Sequence, residues 1–144
     1  MEQIHATCIE VDGVGVLIRG ASGSGKSDLA LRLIDAGATL VADDRVDLRR
    51  VGPDVSASAP HKIAGMLEVR GIGIVKMAHQ ASVMVRLVVE LVSPDKVERL
   101  PEPAICHYMD VAVCLVNLAP FEASAATKVR SAVALAANRM PLVS

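Results

Sequence analysis

Aromatic side chains are nearly absent from this sequence. Its 144 residues include one Phe, one Tyr and no Trp, although 52% of the residues are hydrophobic. The core must therefore be built from aliphatic side chains and Met. Domains that bind bases by stacking need aromatic faces, so this scarcity argues against base stacking as a mode of ligand binding.

An excess of charge of one sign is also missing. Fifteen Lys and Arg residues stand against sixteen Asp and Glu residues, for a net charge of −1. Nucleic-acid-binding domains concentrate positive charge, so we predict no nucleic-acid partner. The length is that of one domain large enough to fold without disulfides or a structural metal, and we predict a single domain over residues 1–144.

Cysteines and long apolar runs are scarce as well. Cys8, Cys106 and Cys114 are odd in number and lack the paired spacing of a zinc site, so we predict buried, reduced thiols. The longest uncharged stretch, residues 111–121, is far shorter than the ~20 residues of a membrane helix. These absences lead us to expect a cytoplasmic protein with no membrane association.

One stretch carries a strong functional signal, since it fits the pattern G-x-x-x-x-G-K-[ST] of a phosphate-binding loop. Its glycines lack Cβ atoms and let successive backbone N–H groups surround an anion. The lysine adds a positive charge, and the last serine offers a hydroxyl to Mg²⁺. With few aromatics available, we expect a nucleotide to be held chiefly by its phosphates. The loop consists of Gly20, Ala21, Ser22, Gly23, Ser24, Gly25, Lys26 and Ser27.

The flanking sequence supports this interpretation. Residues 14–18 form a short apolar run typical of a strand, and residues 26–36 place Leu29, Ala30 and Leu33 on one helical face before Gly37. A phosphate-binding loop requires a strand before it and a helix after it. The alternative, a flexible Gly/Ser linker, would not be followed by an amphipathic helix.

The remaining segments predict an α/β domain. Asp12-Gly13 predicts a hairpin turn, and residues 55–63 are interpreted as a weak edge strand or loop. Residues 93–103 contain three prolines and are predicted to be a surface loop at the rim of the site or over a partner. Strands are predicted over 4–11, 14–18, 39–44, 45–51 and 82–92, one or two strands over 105–118, and a closing helix over 123–139.

Carboxylates near the phosphates would have to supply the chemistry. Asp43 and Asp44 end an apolar strand soon after the first helix, and because neighbouring residues of a strand point to opposite faces, we expect only one of them to face the phosphates. A turn with two solvated acids is the alternative. Glu68 fits either a Mg²⁺ shell or an ion pair with Arg70. His5, a lone histidine in a predicted strand, is by itself more typical of packing than of catalysis.

Three motifs in this order resemble the HPr kinase/phosphorylase family. They are Gly20-Ala-Ser-Gly-Ser-Gly-Lys-Ser27, Leu40-Val-Ala-Asp-Asp44 and Leu67-Glu-Val-Arg-Gly-Ile-Gly-Ile74. The resemblance covers residues 4–92 well and the last third poorly. The chain looks like a short form that corresponds to the catalytic domain of the longer enzymes.

The resemblance implies a kinase that phosphorylates a serine of HPr, the carrier of the phosphotransferase system, with ATP and Mg²⁺. Many members of the family also use pyrophosphate, and many reverse the reaction with inorganic phosphate. The implied fold is a P-loop kinase domain with a mixed β-sheet, related to the nucleotide-binding core of phosphoenolpyruvate carboxykinase. The implied assembly is a homo-oligomer, in the family a hexamer.

The resemblance also assigns roles to individual residues. The active-site histidine falls on His5, the loop lysine on Lys26 and the catalytic base on Asp44, with Asp43 as the alternative. Magnesium ligands fall on Ser27 and Glu68, and Asp43 is a further candidate. The family's arginine in Tyr-Asp-Arg-Leu falls on Arg99, although this chain has Val97-Glu-Arg-Leu100 there.

Two observations limit the resemblance. Long members carry Pro-Val-Arg-Pro-Gly-Arg-Asn, associated with dephosphorylation, where this chain has Asn117-Leu-Ala-Pro-Phe-Glu-Ala123. We therefore predict a better kinase than phosphorylase. Two alternative functions stay open: a small-molecule kinase or NTPase that needs no protein acceptor, and a nucleotide-sensing module that binds without chemistry.

Overall fold

The computed structural model describes residues 1–138 of the chain. Short 3-10 turns lie at His61–Ile63 and Pro94–Lys96, and the α-helices are α1 (Lys26–Asp35) and α2 (Ala125–Ala136). The strands are β1 (Glu2–Ile4), β2 (Thr7–Val11), β3 (Val14–Arg19), β4 (Thr39–Ala42), β5 (Val46–Val51), β6 (Asp54–Ser58), β7 (Met66–Val69), β8 (Gly73–Lys76), β9 (Ser82–Leu91), β10 (Ala104–Tyr108) and β11 (Val111–Leu118).

Strand β9 is the branch point of the main sheet. Its second half pairs in parallel with β3 on one side and with β11 on the other. Antiparallel pairs extend this part through β2 to β4 and from β11 to β10. Its first residues pair antiparallel with β6, which continues through β5 to β1. The sheet is therefore mixed, as predicted, and β7 and β8 form a separate hairpin.

Arg86 is an extra residue in β9. Gly15 pairs with Val85 and Val16 pairs with Leu87, so the register with β3 skips Arg86. A bulge of this kind reverses the face to which the following side chains point. Val85 consequently belongs to one buried cluster and Leu87 to the other. One strand thereby contributes to both hydrophobic cores.

The two helices cover one face of the sheet and contribute to the first cluster. Leu29 and Leu33 of α1 are buried there, on the face that the spacing predicts, together with Val129 and Val133 of α2. The hairpin β7–β8 packs beside α1. Gly37 has a φ of 113° just after α1, in a conformation that glycine adopts without strain. The predicted end of the second helix, at residue 139, lies outside the described residues.

The first predicted strand is interrupted. Residues 4–11 form two strands, β1 and β2, because β1 pairs with β5 whereas β2 pairs with β3 and β4. The chain must bend to pass from one branch of the sheet to the other, and the bend lies at His5 and Ala6. The predicted Asp12-Gly13 turn is confirmed, with positive φ at both residues.

Two further predictions are wrong. The segment 55–63 is not an edge, since β6 pairs with β5 on one side and β9 on the other, and Pro60 lies beyond its end. The cysteines are not all buried, since only Cys8 is. Cys106 is half-buried and Cys114 is exposed, because they lie on the edge strand β10 and its neighbour β11.

Candidate active site

The phosphate-binding loop joins β3 to α1, as predicted, at the carboxyl end of the parallel strands. Gly23 and Gly25 have φ values of 77° and 101°, which a residue with a Cβ would adopt only with strain. Lys26 is 8% exposed, and its Nζ donates to the carbonyl oxygens of Gly20 and Ala21 at 3.0 Å. The ammonium group is thus held across the loop, beside the backbone N–H groups that open α1.

A cleft of about 270 Å³ lies beside this loop. It brings together side chains that are far apart in the sequence, from the bend before β2, the start of α1, the end of β4 and the hairpin β7–β8. The predicted residues that line it are His5, Ser22, Gly23, Gly25, Lys26, Ser27, Asp43, Asp44 and Glu68.

Asp43 is buried in the cleft and accepts hydrogen bonds from three parts of the chain. Its Oδ1 accepts hydrogen bonds from Ser27 Oγ at 2.7 Å and Thr7 Oγ1 at 2.8 Å, and its Oδ2 accepts one from the Glu68 backbone N at 3.0 Å. Three elements, β2, α1 and β7, are therefore tied to one carboxylate. Its position next to the Ser27 hydroxyl suits it to hold a cation rather than to take up a proton.

Asp44 occupies a different environment. Its side chain is 65% exposed, and its Oδ1 lies 2.9 Å from Nε2 of His5. Its φ of 72° takes the chain out of the strand conformation, so both carboxylates face the cleft instead of pointing to opposite sides. The expectation that the two side chains point to opposite faces of a strand is therefore wrong, since β4 ends at Ala42. Asp44 is left with an accessible oxygen and a histidine partner.

Glu68 and Arg70 do not form an ion pair with each other in the part of the chain that the structure describes. Both line the cleft, on either side of Val69. Arg70 is a site residue that the sequence reasoning missed, having treated it only as a partner for Glu68. Thr7 was also missed, and no sequence signal marks a buried threonine as the partner of a distant aspartate.

Arg99 is not brought to the cleft. It lies in the loop between β9 and β10, is exposed, and is not among the residues that line the cavity. Arg99, which rests on a motif with two altered positions, is thus separated from the other predicted catalytic residues. Of the loop, Gly20, Ala21 and Ser24 do not line the cleft either.

The donor set of the cleft fits a magnesium ion of the kind that accompanies a nucleotide. Among residues 1–138, no three His, Cys, Asp or Glu side chains converge as a protein-only metal cage would require. Mg²⁺ in phosphoryl-transfer sites is held by one or two protein oxygens, phosphate oxygens and water. The Ser27 hydroxyl and the Asp43 carboxylate, 2.7 Å apart, supply such oxygens.

Comparison with known proteins identifies related sequences and structures. The family model described as HPr Serine kinase C-terminal domain matches residues 1–126. The HPr kinase/phosphorylase of Ralstonia nicotianae is 37% identical over 132 residues, which is 85% of this chain and 40% of the relative. The HPr kinase/phosphorylase of Clostridium tetani is 48% identical over 73 residues, which is 51% of this chain and 24% of the relative. The chain thus spans less than half the length of these curated relatives.

A solved structure shares the fold. The HPr(Ser) kinase/phosphatase of Coxiella burnetii superposes with a TM-score of 0.86 at 27% sequence identity, covering 97% of this chain and 99% of that chain. The predicted fold class, a mixed α/β P-loop kinase domain, is confirmed. Within residues 1–138, neither helix has the length and apolar character needed to span a membrane.

Proposed function

The chain belongs to the HPr serine kinase C-terminal domain family, and on that premise we propose that it transfers the γ-phosphoryl group of ATP to a serine of HPr. Family membership implies that the chain binds a nucleotide. The observation that carries the proposal further is that three features meet in one cleft: a loop for phosphates, a partly buried Ser27–Asp43 oxygen pair and an exposed carboxylate at Asp44.

Binding of the triphosphate would use the loop and its lysine. Lys26 exchanges its bonds with the carbonyls of Gly20 and Ala21 for bonds with phosphate oxygens, while the N–H groups at the start of α1 face the same anion. Ser27 and Asp43 would hold Mg²⁺, with Glu68 as a further oxygen donor in the cleft. When bound, the ion neutralises charge on the β- and γ-phosphates.

Asp44 is the proposed base. It accepts the proton of the serine hydroxyl as the serine oxygen forms its bond to the γ-phosphorus, and the bond to the β-phosphate bridging oxygen breaks to release ADP. His5, at 2.9 Å, orients the Asp44 carboxylate through Oδ1, and Oδ2 of this exposed side chain has Arg45 Nε at 3.9 Å. Asp43 is less accessible to an incoming serine hydroxyl, because it is 6% exposed and its oxygens already accept three hydrogen bonds.

The direct test is incubation of the purified protein with γ-labelled ATP, Mg²⁺ and HPr. We expect label on one serine of HPr, no label when that serine is replaced by alanine, and no transfer after chelation of Mg²⁺. Lys26→Ala should abolish transfer while the protein stays folded, because the ammonium group bonds to carbonyl oxygens of its own loop, at Gly20 and Ala21. Glu2→Ala replaces an exposed residue outside the cleft and should transfer the phosphoryl group as the unaltered protein does, which controls for the effects of purifying a variant.

Two outcomes would replace the proposal. ATP turnover without label on any protein acceptor would indicate a small-molecule kinase or NTPase. Tight ATP binding without turnover, unaffected by Asp44→Asn, would indicate a nucleotide-sensing module.

A further inference from the structure

A second cavity lies on the other side of the phosphate-binding loop. Its volume is about 570 Å³, and residues 91–94 after β9 and 119–122 after β11 form two of its walls. Ala21 and Ser24 of the loop form the third. The cavity therefore lies outside the carboxyl ends of parallel strands, which is where open α/β sheets bind ligands.

The loop separates two chemically different spaces. Ser22, Gly23 and Gly25 line the first cleft together with four carboxylates and the cations Lys26 and Arg70, whereas Ala21 and Ser24 line the second cavity. The second cavity is walled mainly by aliphatic side chains and prolines, and Glu122 is the one charged residue that lines it in the part of the chain that the structure describes. The described residues that line the second cavity include no cation, whereas Lys26 and Arg70 line the first cleft beside the start of α1, so the phosphates of a ligand belong in the first cleft.

Among residues 1–138, Phe121 is the one that lines both spaces. Its ring lies against the loop, since a Cβ added at Gly25 would come within 2.9 Å of the ring Cζ. The ring is nevertheless 72% exposed. A phenylalanine usually buries most of its surface, and this one, the sole Phe of the chain, instead presents its surface at the junction of the two spaces.

The loop also contains an unsatisfied polar atom. The Ser24 hydroxyl oxygen is buried and has no hydrogen-bond partner in the part of the chain that the structure describes. Buried hydroxyls are normally paired. This one belongs to a residue on the wall of the second cavity, which places hydrogen-bonding capacity beside an otherwise apolar space.

We propose that the second cavity is the site of the nucleobase, with the base packed on Phe121 while the phosphates occupy the first cleft. The inference rests on the proposed function in that it requires a nucleoside triphosphate on the loop. It adds which part of the chain recognises the nucleoside, and it assigns to Phe121 a stacking role that the scarcity of aromatics argued against. A flat heterocycle matches a cavity of this size and apolar character, and one face of it would cover the exposed ring.

The test compares two ligands that share phosphates but differ in the base. Binding of ATP and of inorganic tripolyphosphate is measured by calorimetry, with Mg²⁺ present and HPr absent, for the unaltered protein, Phe121→Ala and Phe121→Tyr. Loss of one stacked base is worth about 1–3 kcal/mol, so Phe121→Ala should weaken ATP binding by about 5- to 150-fold. Tripolyphosphate binding should not change, and Phe121→Tyr should retain ATP affinity.

Ile105→Ala is the matched control, because Ile105 is an exposed apolar residue that lines neither space. It should leave the affinity for both ligands unchanged. Equal weakening of ATP and tripolyphosphate by Phe121→Ala would mean that the ring only supports the loop, and would overturn the inference. Unchanged ATP affinity in Phe121→Ala would overturn it as well.

Photolabelling gives an independent reading. An azido-adenine analogue of ATP should attach to peptides that contain residues 91–94 or 119–122. Labelling confined to residues 66–76 would show that the base does not bind in the second cavity. These measurements need no acceptor protein. If Phe121→Ala weakens ATP binding but the protein does not phosphorylate HPr, the nucleobase site is supported and the proposed function is wrong. If the protein phosphorylates HPr but Phe121→Ala does not change ATP affinity, the proposed function is supported and the nucleobase site is wrong.

Discussion

Asp43 and Asp44 are neighbours in the sequence but differ in burial, partners and proposed role. Asp44→Asn removes the proposed proton acceptor, an exposed carboxylate whose Oδ1 lies 2.9 Å from His5 Nε2 and whose Oδ2 lies 3.9 Å from Arg45 Nε. We expect kcat for HPr phosphorylation to fall by about 10²- to 10⁴-fold, the usual cost of losing a general base. The Kd for ATP should change little because the carboxylate does not hold the phosphates. Single-turnover transfer and calorimetry measure the two quantities.

Asp43→Asn should act differently. Asp43 is 6% exposed and accepts three hydrogen bonds, so the substitution weakens a buried network that joins β2, α1 and β7. We expect a lower Tm and a higher Mg²⁺ requirement, with about 1–3 kcal/mol of stability lost. Thermal unfolding and a Mg²⁺ titration of activity test this. If Asp44→Asn lowers kcat only slightly while a folded Asp43→Asn protein loses more of its kcat, then Asp43 is the base and Asp44 is not.

The three cysteines should differ in reactivity. Complete burial raises the pKa of the Cys8 thiol, and partial burial raises that of Cys106 against the opposing influence of Arg19. A higher pKa means less thiolate at a given pH, and thiolate is the reactive form. Near pH 8, a disulfide reagent should modify exposed Cys114 first, Cys106 more slowly, and Cys8 only on unfolding. Cys114→Ser should remove the fastest phase, and prompt reaction of Cys8 in the folded protein would contradict the packing of β2.

At the scale of elements, the sequence predicted those whose signal is local. The loop, α1 and the β2–β3 hairpin depend on glycine placement and helical or strand periodicity within a short window. The interior position of β6 and the break at His5 depend on which strands pair. Strand pairing joins residues far apart in the sequence, so no local pattern predicts it. The left-handed conformation of Asp44 was also not predictable, because an aspartate at the end of a strand adopts it only in some contexts.

Gly15 marks the element on which both cores depend. It lies on β3 at the register shift with β9, where a Cβ would overlap the backbone carbonyl of Met84 and approach a Val83 methyl group at 2.8 Å. The carbonyl cannot move without disturbing the parallel pairing. We therefore expect Gly15→Ala to reduce the free energy of unfolding by about 1–3 kcal/mol, the usual cost of overpacking.

Chemical denaturation with a constant m-value measures this loss directly. Ser82→Ala, an exposed change on the same strand β9, should stay within about 0.5 kcal/mol of the unaltered protein. If Gly15→Ala is no less stable than Ser82→Ala, the close approach of β3 and β9 at the bulge does not limit the residue at this position.

At the scale of the whole molecule, the fold brings together residues that the sequence separates. The bend at His5, the helix start at Lys26, the end of β4 and the β7–β8 hairpin meet in one cleft because β2 lies between β3 and β4 and the hairpin packs on α1. The sequence could supply the candidate residues through its motifs. It could not supply Thr7 or Arg70, because these residues matter only once the fold has brought them to the cleft. It also predicted Arg99 as a site residue, whereas Arg99 lies in the loop after β9, away from the cleft.

The direction of the reaction depends on the balance of charge around the cleft. Phosphorolysis requires inorganic phosphate to bind beside phosphoserine, and therefore needs positive groups beyond those that hold ATP. In the described part of the chain, the cations that line the cleft are Lys26, Arg70 and, when protonated, His5. Lys128 and Arg130 could have compensated for the missing arginines. Lys128 instead contacts Glu122 at 3.3 Å, and Arg130 contacts the Ala36 carbonyl at 3.4 Å.

We therefore predict that the forward kinase rate exceeds the reverse phosphorylase rate. The measurement is release of pyrophosphate from serine-phosphorylated HPr at millimolar phosphate, compared with ATP-dependent labelling of HPr under the same conditions. Arg70→Ala should suppress the remaining reverse activity, because it removes a cation that can hold the second anion, whereas Lys128→Ala should leave it unchanged. A reverse rate equal to the forward rate would show that Lys26 and Arg70 suffice for both anions. It would also show that the lack of cations in residues 117–123 does not determine which direction of the reaction is faster.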